Sequence, residues 1–113
     1  MSKSKVDQLR LNQIHNMPCM LCVEIKKDQP SPTEGHHLVD FGYREHSGGD
    51  QATLPLCGWH HRASCKYFSG RKRSIEMLHM YGPSLKFQGK IKGFVERWGT
   101  ERELLAKVNE LIK

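Results

Sequence analysis

Two residue pairs with one spacing, Cys19-x-x-Cys22 and Cys57-x-x-His60, limit the folds open to this chain more than any other feature. One tight turn brings residues i and i+3 together. Each pair can therefore offer two ligands to an ion, and zinc in a structural role takes four nitrogen or sulfur ligands in a closed tetrahedron. An ion that holds both pairs joins an N-terminal turn to the middle of the chain. Inert buried cysteines are the plainer reading, but two correctly spaced pairs argue against it. Cys65 competes with His60 for the fourth position, and the repeated spacing favours His60.

Such a staple suits the composition. A chain of 113 residues, 37% of them hydrophobic, is enough for one domain with a thin core. The charged start Met1-Ser2-Lys3-Ser4-Lys5 is unlike a signal peptide, and Cys-x-x-Cys paired with His reads as a zinc site rather than a disulfide. A reduced, cytoplasmic protein is expected. No apolar run approaches the roughly 20 residues that span a bilayer, so no membrane partner is expected. A formal charge of +6 suits a polyanion such as DNA, although it also serves solubility.

Along the chain, Val6, Leu9 and Ile14 give residues 5–16 the pattern of a weakly amphipathic helix that Pro18 stops. Cys19 to Cys22 form a knuckle, and Lys26 to Pro32 a solvated turn. Glu34 to Val39 reads as a strand, Asp40 to Asp50 as a polar surface arm, and Ala52 to Leu56 as a second strand, marked as an edge by Pro55. Helices are predicted over Trp59 to Phe68, Arg71 to Tyr81 (closed by Gly82-Pro83) and Lys90 to Trp98. Thr100 and Glu103 form a capping box before a last helix with Leu104, Leu105, Val108, Leu111 and Ile112 at helical spacing, which reads as scaffold. One domain spans 1–113: an N-terminal helix (1–16), the clip with its strands and helix (17–68), and C-terminal helices (69–113).

A second cluster sits beside the first. His61 follows His60, and successive helical residues point about 100° apart, so the two serve different centres. On a strand, neighbours point to opposite faces, so His36 and His37 divide their work: one can bind a metal while the other meets substrate as a general base. Surface histidines are the alternative, made less attractive by two His-His dipeptides, each next to a strand or knuckle.

Glu34-Gly35-His36-His37-Leu38 followed by Leu54-Pro55-Leu56-Cys57-Gly58-Trp59-His60-His61-Arg62 resembles the HNH (ββα-metal) endonuclease superfamily, and within it the phage recombination-enhancement nucleases that depend on RecA. Trp98-Gly99-Thr100-Glu101-Arg102-Glu103-Leu104-Leu105 is similar to the end of that group, and the likeness runs over roughly residues 17–110. It implies His36 and His61 as ligands of a catalytic ion, His37 as the base that activates water, and Cys19, Cys22, Cys57 and His60 as the structural zinc clip. The superfamily's middle asparagine, which orients the base, would fall near Ala52-Thr53. There Thr53 could act through its hydroxyl, or a backbone carbonyl could take over. Some relatives carry a further His ligand where this chain has Cys65, a candidate third ligand that suits zinc better than Mg²⁺.

The resemblance thus implies a small α+β fold, a ββα-metal core with a zinc clip and surrounding helices. It implies a phage-type, metal-dependent DNA endonuclease that uses Mg²⁺ or Mn²⁺, acts in recombination and has DNA and a RecA-type filament as partners. Imidazole ligands would also trap Zn²⁺ or Ni²⁺. Arg62, beside a metal ligand, is the candidate for touching the scissile phosphate. Lys66, Arg71, Lys72 and Arg73, with Lys86, Lys90 and Lys92, could line a phosphate track or simply a solvated face. His15, His46 and His79 are assigned to surface or packing. The competing function is a zinc-ribbon-like DNA-binding or recombinase-partner module without catalysis, which would not need His37.

Overall fold

Ser4 opens the first helix, α1 (Lys5–Asn16), by accepting a hydrogen bond from the Asp7 amide at 3.1 Å, which satisfies one of the donors a helix start leaves unpaired. The helix stops because Pro18 drives Met17 into extended backbone (φ −86°, ψ 150°). The computed structural model describes residues 4–38, 48–63, 73–85 and 90–112. Val6 and Leu9 do not face the core as the periodicity suggested: they are 63% and 62% exposed, and the buried pair on α1 is Arg10 with Ile14. Arg10 and Ile14 stand one turn apart, on one helix face.

The knuckle is a short helix, α2 (Met20–Glu24), with Cys19 as its N-cap. Strands β1 (Thr33–His37) and β2 (Thr53–Cys57) pair antiparallel, His36 opposite Leu54 and His37 opposite Thr53. Among the described residues both strands are edges of a two-stranded sheet, which is where Pro55 is tolerated. Paired residues share a sheet face, so His36, Glu34, Leu54 and Leu56 lie on one side and His37, Gly35 and Thr53 on the other. The second side looks at α1, where Ile14 and His15 come within 3.7 and 3.8 Å of the place a Cβ on Gly35 would occupy. Each strand is displaced one residue or more from its predicted span. Val39 and the stretch 40–47 lie outside the described residues.

β2 runs directly into α3 (Gly58–Arg62), a single turn. Of the helix predicted from Trp59 to Phe68, the described part ends at Ala63, whose backbone is left-handed (φ 53°), and residues 64–68 lie outside the described residues. The remaining helices among the described residues are α4 (Arg73–Tyr81), α5 (Lys90–Trp98) and α6 (Glu101–Leu111). α6 begins with the expected capping box, Thr100 and Glu103 exchanging bonds of 2.9 and 3.0 Å. Two tryptophans clamp the turn after α4: the Trp59 indole donates to the Gly82 carbonyl at 3.0 Å and that of Trp98 to the Pro83 carbonyl at 2.9 Å. Gly82 is required there. Its φ is 83°, and a Cβ would meet the Trp98 ring at 2.9 Å. Trp59, Phe94, Leu54, Leu56, Leu104 and Val108 fill the core around this arrangement. The described residues thus form a small α+β structure, a two-stranded sheet with helices around it.

Candidate metal centre

Cys19 and Cys22 from the start of α2, Cys57 at the end of β2 and His60 in α3 converge in the core, all buried, with their ligand atoms within 4.8 Å of one another. His60 Nδ1 lies 3.4 Å from the sulfurs of Cys19 and Cys57 and 3.6 Å from that of Cys22; the Cys22 and Cys57 sulfurs are 3.8 Å apart. A tetrahedral zinc with Zn–S near 2.3 Å and Zn–N near 2.05 Å would have edges of about 3.8 Å between sulfurs and about 3.5 Å from sulfur to nitrogen. The fit is close. The sulfur separation is also far beyond the roughly 2.05 Å of a disulfide, and all three thiols are free.

The tautomer of His60 is fixed. Its Nε2 sits 2.8 Å from the Tyr81 carbonyl, which can only accept, so the ring proton is on Nε2 and the Nδ1 lone pair faces the three sulfurs. Without a cation the cluster cannot hold three thiolates together. Hydrogen bonds from Cys22 and Cys57 hold Cys19 well below its ordinary value, whereas its contacts with Cys19 and Cys57, followed by burial, push Cys22 far above its own. Burial presses the His60 pKa down, but bonds to Cys19 and Cys57 outweigh it and raise the value to about 9. A divalent ion resolves this conflict by stabilising every thiolate at once.

Gln29 braces the knuckle, accepting from the Cys19 amide at 2.8 Å while donating to the Ser31 carbonyl and to Thr33 Oγ1 at 2.7 and 3.0 Å. It lies in the stretch read as a solvated turn, and no local pattern marked it.

The histidine cluster lies on the sheet and α3. His36 Nε2 bonds Glu101 Oε1, His37 Nε2 lies 2.7 Å from Asp50 Oδ1, and His61 Nδ1 lies 2.8 Å from Glu34 Oε1. Each imidazole thus meets one carboxylate on one nitrogen. An ionised carboxylate only accepts, so the proton sits on that nitrogen and the lone pair on the other: Nδ1 of His36, Nδ1 of His37 and Nε2 of His61. The rings of His36 and His61 stand edge to face, 5.1 Å between centres. His37 is on the opposite strand face, as the alternation required. Burial, aided by the nearby His36, holds the His61 pKa below its ordinary value against the pull of Glu34, which favours the neutral ring a metal ligand needs.

Arg62, expected to reach a phosphate, rests on Glu34, its Nε and Nη2 donating at 2.9 and 2.8 Å. Its bond, followed by that of His61, holds the Glu34 carboxyl below the usual range despite partial burial. Thr53 does not touch His37 through its hydroxyl. That hydroxyl donates to the Asp50 carbonyl at 3.1 Å and accepts from Arg10 Nε at 3.2 Å, while Arg10 Nη2 donates to the Thr53 carbonyl at 2.8 Å and Nη1 to Asn109 Oδ1 at 2.6 Å. Thr53 therefore steadies the turn that carries Asp50, and Asp50 holds the histidine.

Among the described residues, only the Cys/His quartet has three or more ligand atoms drawn this close; the histidine cluster is more open. Cys65, Lys66, Arg71, Lys72, Lys86 and His46 lie outside the described residues, as do the side chains of Arg73, Lys90 and Lys92. His15 and His79 are exposed, as expected.

Asp50, Glu34 and Glu101 went unread in the sequence. Glu34 carried a signal, standing two residues before His36 and so on the same strand face. Asp50 was hidden in a stretch resembling a surface arm, and Glu101 inside a capping box.

A family model described as recombination enhancement, RecA-dependent nuclease matches residues 4–113. Comparison with curated proteins and with solved structures found no match.

Proposed function

Because the chain belongs to the recombination-enhancement, RecA-dependent nuclease family, we propose that it is a metal-dependent endonuclease of the HNH (ββα-metal) type. In this reading it is of phage or prophage origin, acts in the bacterial cytoplasm and cuts DNA phosphodiester bonds in concert with a RecA-type filament. The observation that carries this reading is the pairing of three histidines with three carboxylates around the β1–β2–α3 unit.

The residues fit an ion at one end of that unit. His36 and His61 are adjacent rings, each with one nitrogen already committed to a carboxylate, and burial favours the neutral form of His61. Metal-binding histidines are commonly oriented this way. They would hold Mg²⁺ or Mn²⁺, which supplies positive charge to the phosphoryl and leaving oxygens when bound. His37 keeps its proton on Nε2 against Asp50, so its Nδ1 lone pair takes a proton from the water that attacks phosphorus. Asp50 then stabilises the imidazolium that forms, taking the orienting role of the superfamily's asparagine. Arg62 is the proposed phosphate contact, with Lys66, Arg71, Lys72 and Arg73 along the DNA backbone. The buried quartet holds a structural zinc.

The test is plasmid nicking by the purified chain with Mg²⁺ or Mn²⁺, with and without a RecA filament on the DNA. Metal-dependent cleavage raised by the filament is expected, reduced by about 10²–10⁴-fold in His37→Ala, as for loss of a general base. Undiminished cleavage by His37→Ala would refute the mechanism, and absence of cleavage in every arm would favour a zinc-stapled binding module.

A further inference from the structure

We propose that Glu101 is a positioning residue of the ion site, so that the C-terminal helix belongs to the active centre. This rests on the reading of His36 and His61 as ion ligands. Glu101 reaches His36 from 65 residues along the chain and accepts from its Nε2, which leaves Nδ1 as the ring nitrogen able to bind an ion.

The carboxylate is not spent on capping its own helix, because Thr100 and Glu103 already complete the box. α6 is itself anchored, by Leu104 and Val108 in the core and by Asn109 accepting from buried Arg10. The Glu101 side chain is 21% exposed and that of His36 14%, so the bond is partly shielded from water. A glutamate in a first helical turn also answers the helix dipole, and that alternative makes a different prediction. For the dipole only the charge matters, so Gln and Ala replacements would behave alike. For positioning, the Gln side-chain oxygen still accepts from Nε2 and Ala leaves the ring unheld.

The experiment titrates zinc-loaded full-length protein with Mn²⁺ and follows free Mn²⁺ by electron paramagnetic resonance, with zinc content and melting temperature measured alongside. Glu101→Ala should weaken Mn²⁺ affinity by about 10–100-fold, the usual effect of removing a residue that orients a ligand. Glu101→Gln should stay near the parent. Thr100→Ala should lower the melting temperature and leave Mn²⁺ affinity unchanged, separating helix stability from ion binding. Should Glu101→Ala bind Mn²⁺ like the parent while His36→Ala loses it, the inference fails and the ion site stands. Should His36→Ala also bind like the parent, or the parent bind no Mn²⁺, the ion-site reading fails and takes the inference with it. A Glu101→Gln variant as weak as Glu101→Ala would overturn positioning in favour of direct ligation or charge.

Discussion

Replacing Cys22 with Ser should unfold the protein at temperatures where the parent is native. Structural zinc in small domains contributes about 10–16 kcal/mol of binding free energy, which is folding free energy where no site exists in the unfolded chain. A hydroxyl is a poor zinc ligand, so losing one of four ligands should forfeit at least about a quarter of that, roughly 3 kcal/mol. At about 4–8 °C per kcal/mol for a domain near this size, the melting temperature should fall by at least ~12 °C. Complete loss of zinc is comparable to the whole stability of a typical domain, about 5–15 kcal/mol. The core location raises the damage, since Cys22 is 2% exposed and its neighbours Cys19, Cys57 and His60 are wholly buried. The assay pairs thermal melts by circular dichroism with zinc content by plasma mass spectrometry, for Cys22→Ser and for Cys65→Ser. Cys65→Ser should keep both zinc and melting temperature. A folded Cys22→Ser protein with the parental melting point, or a folded parent free of zinc, would refute the reasoning.

Asp50→Ala should slow nicking in the same direction as His37→Ala while leaving DNA binding intact, read by nicking rate beside a gel-shift titration; equal rates would remove Asp50 from the mechanism. Burial holds the His61 pKa below its ordinary 6.5, so the unfolded chain takes up the proton first. Its contribution to stability is then present above pH 6.5 and is lost as pH falls through that value toward the folded pKa. His61→Gln should flatten this part of the pH profile, measured as urea midpoints from pH 8 to 5. The charge of +6 predicts DNA affinity that falls with salt, with a slope of log K against log salt near −0.9 per phosphate neutralised. A flat salt titration would mean that the charge serves only solubility.

The parts legible in the sequence are those whose cause is local. Pro18 ends α1 by its ring, Thr100 and Glu103 start α6 by bonding each other, and the clip announces itself by spacing within two short turns. Residues whose role depends on distant partners were not legible. Arg10 is buried because Thr53 and Asn109 supply acceptors 43 and 99 residues away, whereas its position on α1 favoured Val6 and Leu9 as the inward residues. Ala63 ends α3 through a backbone conformation that its side chain does not advertise. Asp50 looked like loop polarity because nothing near it in sequence shows that His37 pairs with it.

The adjacency of His60 and His61 gives the clip a consequence beyond stability. α3 has five residues, far fewer than the roughly 12–15 at which an isolated helix becomes marginal in water. What holds this turn is tertiary: Cys57 at its N-cap and His60 within it both belong to the quartet, and the Gly58 amide donates to Ser31 at 2.8 Å. His61 is one residue beyond His60 and points away from the quartet, toward Glu34 and His36. A metal at the quartet therefore fixes the rotation of α3 about its axis, and with it the placement of His61 against β1. His60 and His61 share a single helical turn, so anything that loosens the quartet must also shift His61, the proposed ligand of the ion site.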